Sequence, residues 1–305
     1  MENIEEIHKK VRREASKGIS DKVTKIIIIV ILFPAALISM IPLWTVFVTS
    51  FTSDKSIADY GFELWPRLFS LDGYIYIFTR PMLILTAYAV TIEVTLIGTF
   101  FGVLIMAMFA YTLTRKNFKP RKFLDFFIFF PLLFGSGTVP YYILITRYLH
   151  LKNNLLVLIL PLLVSPFYVL LLRTYFKGLP PSLIEAAKLD GAGDIRIFFS
   201  IILPLSLPAL STVALFSMLG YWNDMYQALL FIDNQSLYPL QYLLYKLIND
   251  KSVIPQGSAF MGQVTPYEST RMAMAVLAIL PILFSFGFVQ KYFIKGITLG
   301  GVKGD

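Results

Sequence analysis

The sequence predicts an all-α integral membrane protein with six transmembrane helices. Of its 305 residues, 56 % are hydrophobic and 15 % charged, whereas an ordinary soluble domain carries about 25 % charged residues. Six apolar stretches recur along the chain, each near the ~20 residues that cross a hydrocarbon core. The cations between them fall unequally on the two sides that an alternating path would define. There is no cysteine, which excludes disulfides and thiolate chemistry, and the two histidines, His8 and His150, lie far apart in polar flanks. No metal site, catalytic constellation or cofactor is expected.

The first 25 residues hold seven cations, Lys9 to Lys25, against five acids. An amphipathic surface helix and a disordered segment both fit them. They are too long and too charged for a signal-peptide start, so the first span is read as a retained anchor. That span, Ile26 to Ser53, has no charge across 28 residues and contains Pro34 and Pro42, which are expected to kink it. An external loop, 54–80, follows, with Trp65, Pro66 and Tyr74 suited to an interface or a partner.

The second span, 82–114, holds a single charge, Glu93. With no basic residue, His or Asp at similar depth, Glu93 is not read as a proton relay; it faces a polar cavity or a neighbouring subunit. Five cations then crowd into 115–122. The third span, 124–146, is broken by Gly135-Ser-Gly-Thr-Val-Pro140. Non-helical backbone at membrane depth is tolerated where it is buried in protein or lines a water-filled cavity. Gly135, Gly137 and Tyr141 are therefore either pathway lining or a helix-packing site. The fourth span covers 154–172, with Pro161 and Pro166. The fifth runs from Ile197 to about Leu219, with Pro204 and Pro208 in its first half. Tyr221, Trp222, Asn223 and Asp224 follow it. Flat rings beside amide and carboxylate groups suit sugars, while an aromatic belt at the membrane edge accounts for Tyr221 and Trp222 but not for Asn223 and Asp224. A long external loop, 232–270, leads to the sixth span, 272–290. The permease domain is thus 26–295, and 296–305 is a glycine-rich tail.

Six crossings put both termini on one side, and that side carries 19 of the 27 Lys and Arg residues. The positive-inside rule places both termini and the 177–196 loop in the cytoplasm and the 54–80 and 232–270 loops outside. The net charge of +8 is then a matter of topology, with no need for nucleic acid.

The cytoplasmic loop is the most informative stretch. Pro181 suits a helix start. Ser182 with Glu185 three residues on forms a capping box. Gly191 and Gly193 are expected to turn the chain at positive φ, and Asp194 to cap the next helix. By these signals alone a plain helical hairpin fits as well as a docking element. No Gly-Lys dipeptide occurs, so the phosphate-cradling loop of nucleotide hydrolases is absent. Any driving force must come from a partner or an ion gradient.

The same loop resembles the signature of bacterial ABC-importer membrane subunits, E-A-A-x₃-G-x₉-I-x-L-P. Here it reads Glu185-Ala186-Ala187, Gly191, Ile201 and Leu203-Pro204. The chain from about residue 25 onward looks like a carbohydrate-importer permease of the maltose-type family. The segments 134–141, Asp190-Gly-Ala-Gly, Tyr221-Trp-Asn and 237–241, with the Gly-Gly-Val-Lys-Gly tail, resemble its LplC/YtcP-like branch, which is associated with complex or acidic oligosaccharides. Ser136 departs from a glycine common in that branch. The resemblance implies a type I ABC importer permease fold and no enzymatic activity of its own. It implies a second homologous permease in a heterodimer, two ATP-binding ATPase subunits and an extracellular solute-binding lipoprotein that delivers an oligosaccharide. Ser182, Glu185, Ala186, Ala187, Asp190 and Gly191 would form the helix that docks on an ATPase. The setting would be a cell membrane, with the Lys/Ile-rich, cysteine-free character pointing to a Gram-positive bacterium. A permease for peptides or another solute is the alternative, followed by an ion-coupled secondary carrier.

Overall fold

A computed structural model describes residues 2–79, 81–115, 118–249 and 266–301. Every regular element among them is helical; the only β pairing is an isolated antiparallel bridge between Thr52 and Phe69. Lys116, the 250–265 part of the external loop and residues 302–305 of the tail lie outside the described residues. By internal contacts the chain forms two compact units. One runs up to Tyr74 and includes Pro266–Ala273; the other holds Ile75 onward and Met274 onward.

The first unit opens with α1 (Glu2–Ser50), a single helix through the charged segment and the first apolar span. Pro34 and Pro42, expected to kink the span, do not interrupt it. Polar side chains bond the carbonyls of this stretch: Thr45 Oγ1 donates to Pro42 O at 2.8 Å and Ser39 Oγ to Ala36 O at 2.8 Å. Short α2 (Asp54–Tyr60) follows, with Gly61 at φ 77° closing it onto Ile57 O. Asp54 also accepts two backbone N–H groups, those of Glu268 and Ser269, each at 2.9 Å. These belong to the first turn of the last helix, where a carboxylate meets unpaired donors and the positive end of the dipole. Gly73 packs against the same turn: a Cβ there would lie 2.7 Å from the Ser269 carbonyl.

The second unit starts in α3 (Asp72–Phe78) and is organised around α4 (Pro81–Thr114), 34 residues long. Helix α5 (Arg121–Leu133) and α6 (Thr138–Ile143), the latter extended by a π turn to Tyr148, meet at 119° across the expected glycine break. Next come α7 (Leu156–Ile159), continued by a 3₁₀ turn, and α8 (Pro166–Lys177), which meet at 48°. The cytoplasmic signature forms α9 (Pro181–Leu189) and α10 (Asp194–Ile197). A π turn, Phe198–Ile202, feeds α11 (Leu203–Leu205), and α12 (Leu207–Trp222) then leaves at 81°. The expected fifth span is therefore two segments. Pro208 cannot donate to the preceding turn and instead occupies the start of a new helix, where no donor is needed. Helices α13 (Tyr226–Phe231), α14 (Leu240–Asn249) and α15 (Tyr267–Gly301) complete the order.

Among the described residues three helices are long and apolar enough to cross a membrane, and up to six crossings result if each bent pair is one span. Two apolar clusters hold the second unit. One gathers Met106, Ala110, Leu113, Leu172, Ile197, Ile202 and Val213; the other gathers Val90, Val94, Val157, Leu158, Tyr221, Phe231 and Tyr242. Helix α4 contributes to both. Its Gly98 and Gly102 permit close approach: a Cβ on Gly98 would sit 2.3 Å from the Tyr221 ring, and one on Gly102 2.8 Å from Leu163 O. Such small-residue spacing is how membrane helices reach van der Waals contact.

Candidate functional site

Helix α9, the Gly191 turn and α10 form a hairpin seated on the first apolar cluster. Ala187 and Ile197 are its buried feet, and Ile184 and Ala192 pack beside them. Gly191 takes φ 76° with nothing near its missing Cβ, so glycine is required there by backbone conformation and not by crowding. The turn is closed by Ala192 N to Ala187 O at 2.9 Å and Asp190 N to Ala186 O at 3.0 Å.

Three local expectations need correction. The capping box of Ser182 with Glu185 does not form: the N-cap is Pro180, which has no side-chain acceptor, and Pro181 is the first helical residue, so Ser182 lies inside the helix. Asp194 does not cap α10; Gly193 holds that position and Asp194 is the first helical residue. Gly193 is also extended, at φ −69°, instead of left-handed.

Freed from capping, the Asp194 carboxylate lies 3.5 Å from Arg115 and 3.9 Å from Lys188. The Arg115 guanidinium lies over the Tyr111 ring, 4.1 Å from its centroid, and burial lowers its pKa while Asp194 opposes that. Tyr111 Oη reaches Asp194 O at 3.4 Å. The hairpin is thus tied to the end of α4 by charge and to the core by Ala187. Its outer face keeps Glu185 exposed with no partner among the described residues, beside Leu189, 89 % exposed, and Ile195, 77 % exposed. Ser182, Ala186 and Asp190 are exposed with them. Leu189 and Ile195 are thus large apolar side chains left uncovered beside the charged residues of the hairpin.

A second ion cluster was not anticipated from the sequence. Arg173 on α8 grips Asp125 on α5 through two nitrogens, at 2.7 and 3.2 Å, and Arg121 lies 3.7 Å away. Arg121 and Asp125 are four apart on one helix, a spacing legible in the chain; Arg173, 48 residues on, is supplied by the fold.

The structure ties the 135–141 stretch to residues just past the Tyr221–Asp224 cluster. Thr138 Oγ1 lies 3.1 Å from Tyr226 Oη, and Tyr141 Oη donates to Gln227 Oε1 at 2.6 Å. Gly135 and Gly137 are exposed, Gly137 at φ 76°. Tyr221 and Trp222 turn inward, 4 % and 9 % exposed. Tyr221 Oη donates to Ile159 O at 2.9 Å and Trp222 Nε1 to Ala278 O at 3.2 Å. Trp222 also lines a cavity of about 130 Å³ with Thr95 and Met218. Asn223 is the accessible member: its amide donates to Leu219 O at 2.9 Å, and its Oδ1 accepts from Gln241 at 3.4 Å. Asp224 accepts Tyr226 N at 3.2 Å, and burial pushes its carboxyl up to about 6 against the bonds to Tyr226 and Gln227. Gln227 and Tyr226 were missed because neither stands out within an aromatic run. On the next loops, Lys152 pairs with Asp233 at 2.8 Å and holds that carboxyl below its usual range. Glu93 is exposed on α4 with no partner among the described residues.

The chain matches the family model described as "Binding-protein-dependent transport system inner membrane component" over residues 98–299. It is 37 % identical over 271 residues to the polygalacturonan/rhamnogalacturonan transport system permease protein YtcP of Bacillus subtilis (strain 168), covering 88 % of this chain and 94 % of that one. It is 33 % identical over 276 residues to the arabinooligosaccharides transport system permease protein AraQ of Halalkalibacterium halodurans, covering 88 % and 93 %. Among solved structures it is similar to a chain of a bacterial ABC transporter involved in the import of the acidic polysaccharide alginate. The TM-score is 0.79 at 29 % identity, over 90 % of this chain and 98 % of that one.

Proposed function

The chain belongs to the family of binding-protein-dependent transport system inner membrane components, and we propose that it is the permease subunit that carries oligosaccharides in an ATP-driven importer. Its relatives' names support a sugar cargo: one is named for polygalacturonan and rhamnogalacturonan, another for arabinooligosaccharides. It pairs with a second, homologous permease and two ATPase subunits, and an extracellular binding protein delivers the cargo. Both termini are cytoplasmic in a Gram-positive cell membrane, and the 54–80 and 232–270 loops face outside.

The observation that carries the mechanism is the α9–Gly191–α10 hairpin. It is fixed to the core through Ala187 and Ile197 while Glu185, Leu189 and Ile195 point outward. A helix so anchored transmits displacement instead of absorbing it. ATPase closure moves the hairpin, and the permease passes from inward- to outward-facing as a rigid-body rearrangement. Ser182, Glu185, Ala186, Asp190 and Gly191 contribute the docking surface, and Ala187 seats it. Lys188 is engaged by Asp194, so Glu185 is the charge offered to the ATPase. In the pathway, Asn223 and Asp224 with the Gly135–Gly137 break meet the hydroxyls, held in place by Tyr141, Tyr221 and Trp222.

The test is Glu185→Lys in the assembled importer. Assembly stays intact while uptake and binding-protein-stimulated ATP hydrolysis drop by an order of magnitude or more; uptake at the wild-type rate overturns the docking role. Cargo is decided separately, by presenting a glycan panel and a peptide panel to the cognate binding protein. Binding of peptides alone would remove the oligosaccharide reading.

A further inference from the structure

The first unit places an exposed aromatic segment beside the end of the first span. Residues 61–70 fold back along the last two turns of α1. Trp44 Nε1 donates to Leu64 O at 2.9 Å, and the Trp44 and Trp65 rings meet edge to face at 5.6 Å. Farther along, Phe51 stacks on Phe69 at 5.8 Å, and the backbone closes with Ser53 N to Leu68 O at 3.0 Å and Ser70 N to Phe51 O at 2.9 Å. Trp44 and Phe47 on α1 and Phe51 just past its end form one aromatic ladder, with adjacent centroids 5.8 and 5.2 Å apart.

Trp44 lies six residues before the end of α1 at Ser50. At about 1.5 Å per residue that is about 9 Å along the helix. The segment therefore descends alongside the membrane-crossing helix instead of rising into water. Its side chains nonetheless find no cover in this chain: Trp65 is 71 % exposed and Phe69 67 %, with Phe62 and Leu68 also exposed. The segment's charges are neutralised locally. Arg67 pairs with Glu63 at 2.7 Å and lies over the Tyr60 ring, 4.1 Å from its centroid. Aromatic rings, a neutralised ion pair with a long aliphatic stem and a position about two turns below a helix end are what the headgroup–acyl boundary accommodates.

We propose that residues 60–69 form an interfacial anchor, seated in the lipid headgroup–acyl boundary at the Ser50 end of the first span. It fixes the depth and rotation of α1, whose apolar residues from Ile26 to Leu43 are themselves exposed in this chain. The occupant of the aromatic surface is lipid. A partner protein surface or plain water would each give a different readout.

The chain's lack of cysteine makes the test direct. Phe62→Cys and Leu68→Cys leave Trp65 and Phe69 in place; Asp59→Cys on α2 is the aqueous control. Each is spin-labelled in the full importer, with cysteine-free partner subunits, in phosphatidylcholine nanodiscs. Collision with oxygen and with a water-soluble nickel chelate is then measured. Both test sites give an oxygen-to-chelate ratio severalfold above the Asp59 site. A ratio equal to that control places the segment in water, and shielding from both quenchers places it under protein; either result overturns the anchor.

Discussion

Asp224 shows how far one carboxylate can depart from what its neighbours in the chain suggest. It follows two aromatic residues and an amide, a mix that reads as a sugar site, yet the rings beside it are spent on the chain's own carbonyls. In the proposed pathway, Asn223 and Asp224 are then the members of the cluster that would meet a polar guest. Burial raises the Asp224 carboxyl to about 6, above the 3.8 of the free side chain. The sign follows: the folded state binds this proton more tightly than the unfolded state. The group's stabilising contribution is complete below pH 3.8 and is lost as pH rises through about 6. Between pH 5 and 7 the wild-type importer should therefore lose about 1 kcal/mol relative to Asp224→Asn, as read from unfolding midpoints of the two proteins side by side. A difference that stays flat across that window would mean the carboxyl is well hydrated. The sequence named this residue; its protonation could not be foreseen, because burial is a property of the packed fold and leaves no local pattern.

At the scale of elements, the signature hairpin was legible and its capping was not. Glu185 to Pro204 fixed the order helix, glycine turn, helix, and Gly191 sits at φ 76° as its position demands. Ser182 and Asp194 failed as caps for one shared reason: each helix starts one residue or more earlier than the cap requires. Pro180-Pro181 sets the first start, since the ring at Pro181 is already at helical φ. Asp194 is claimed instead by Arg115 from 79 positions earlier, a partner no local pattern reveals. The glycines of α4 pose a sharper case. Gly98 faces a side chain, the Tyr221 ring; Gly102 faces backbone, the Leu163 carbonyl. A ring can shift at some cost, while a carbonyl inside a packed turn drags its helix along. Overpacking of this kind costs about 1–3 kcal/mol. Gly102→Ala should lie at the upper end, and no single truncation of a neighbour should relieve it. Gly98→Ala should be partly rescued by Tyr221→Ala, measured as midpoints in a double-mutant cycle. Equal, additive losses would show that both contacts yield in the same way.

Across the whole molecule, the parity of crossings decides which surfaces can meet an ATPase and which a binding protein. Among the described residues three helices are long and apolar enough to cross, and each bent pair adds one crossing only if it does not turn back. The sharpest bend, 119° between α5 and the segment Thr138–Tyr148, is the one where turning back is geometrically easiest. If that pair returned to its own side, the four cations of 173–196 and the three of the C-terminal segment would move outward. The signature hairpin would then lie on the side without ATP, which is incompatible with docking. A charge-free crossing from Phe126 to Ile145 has no such penalty, and its non-helical residues 134–137 are tolerable where they line a hydrated path. Single cysteines separate the two arrangements in intact cells. With six crossings, Asp59→Cys and Gln235→Cys react with a membrane-impermeant maleimide, and Lys177→Cys reacts only after the membrane is opened. If the 119° pair is re-entrant, Asp59→Cys still reacts from outside but Gln235→Cys and Lys177→Cys exchange places. Because the two sites must exchange together, a labelling failure at either alone cannot mimic the re-entrant arrangement.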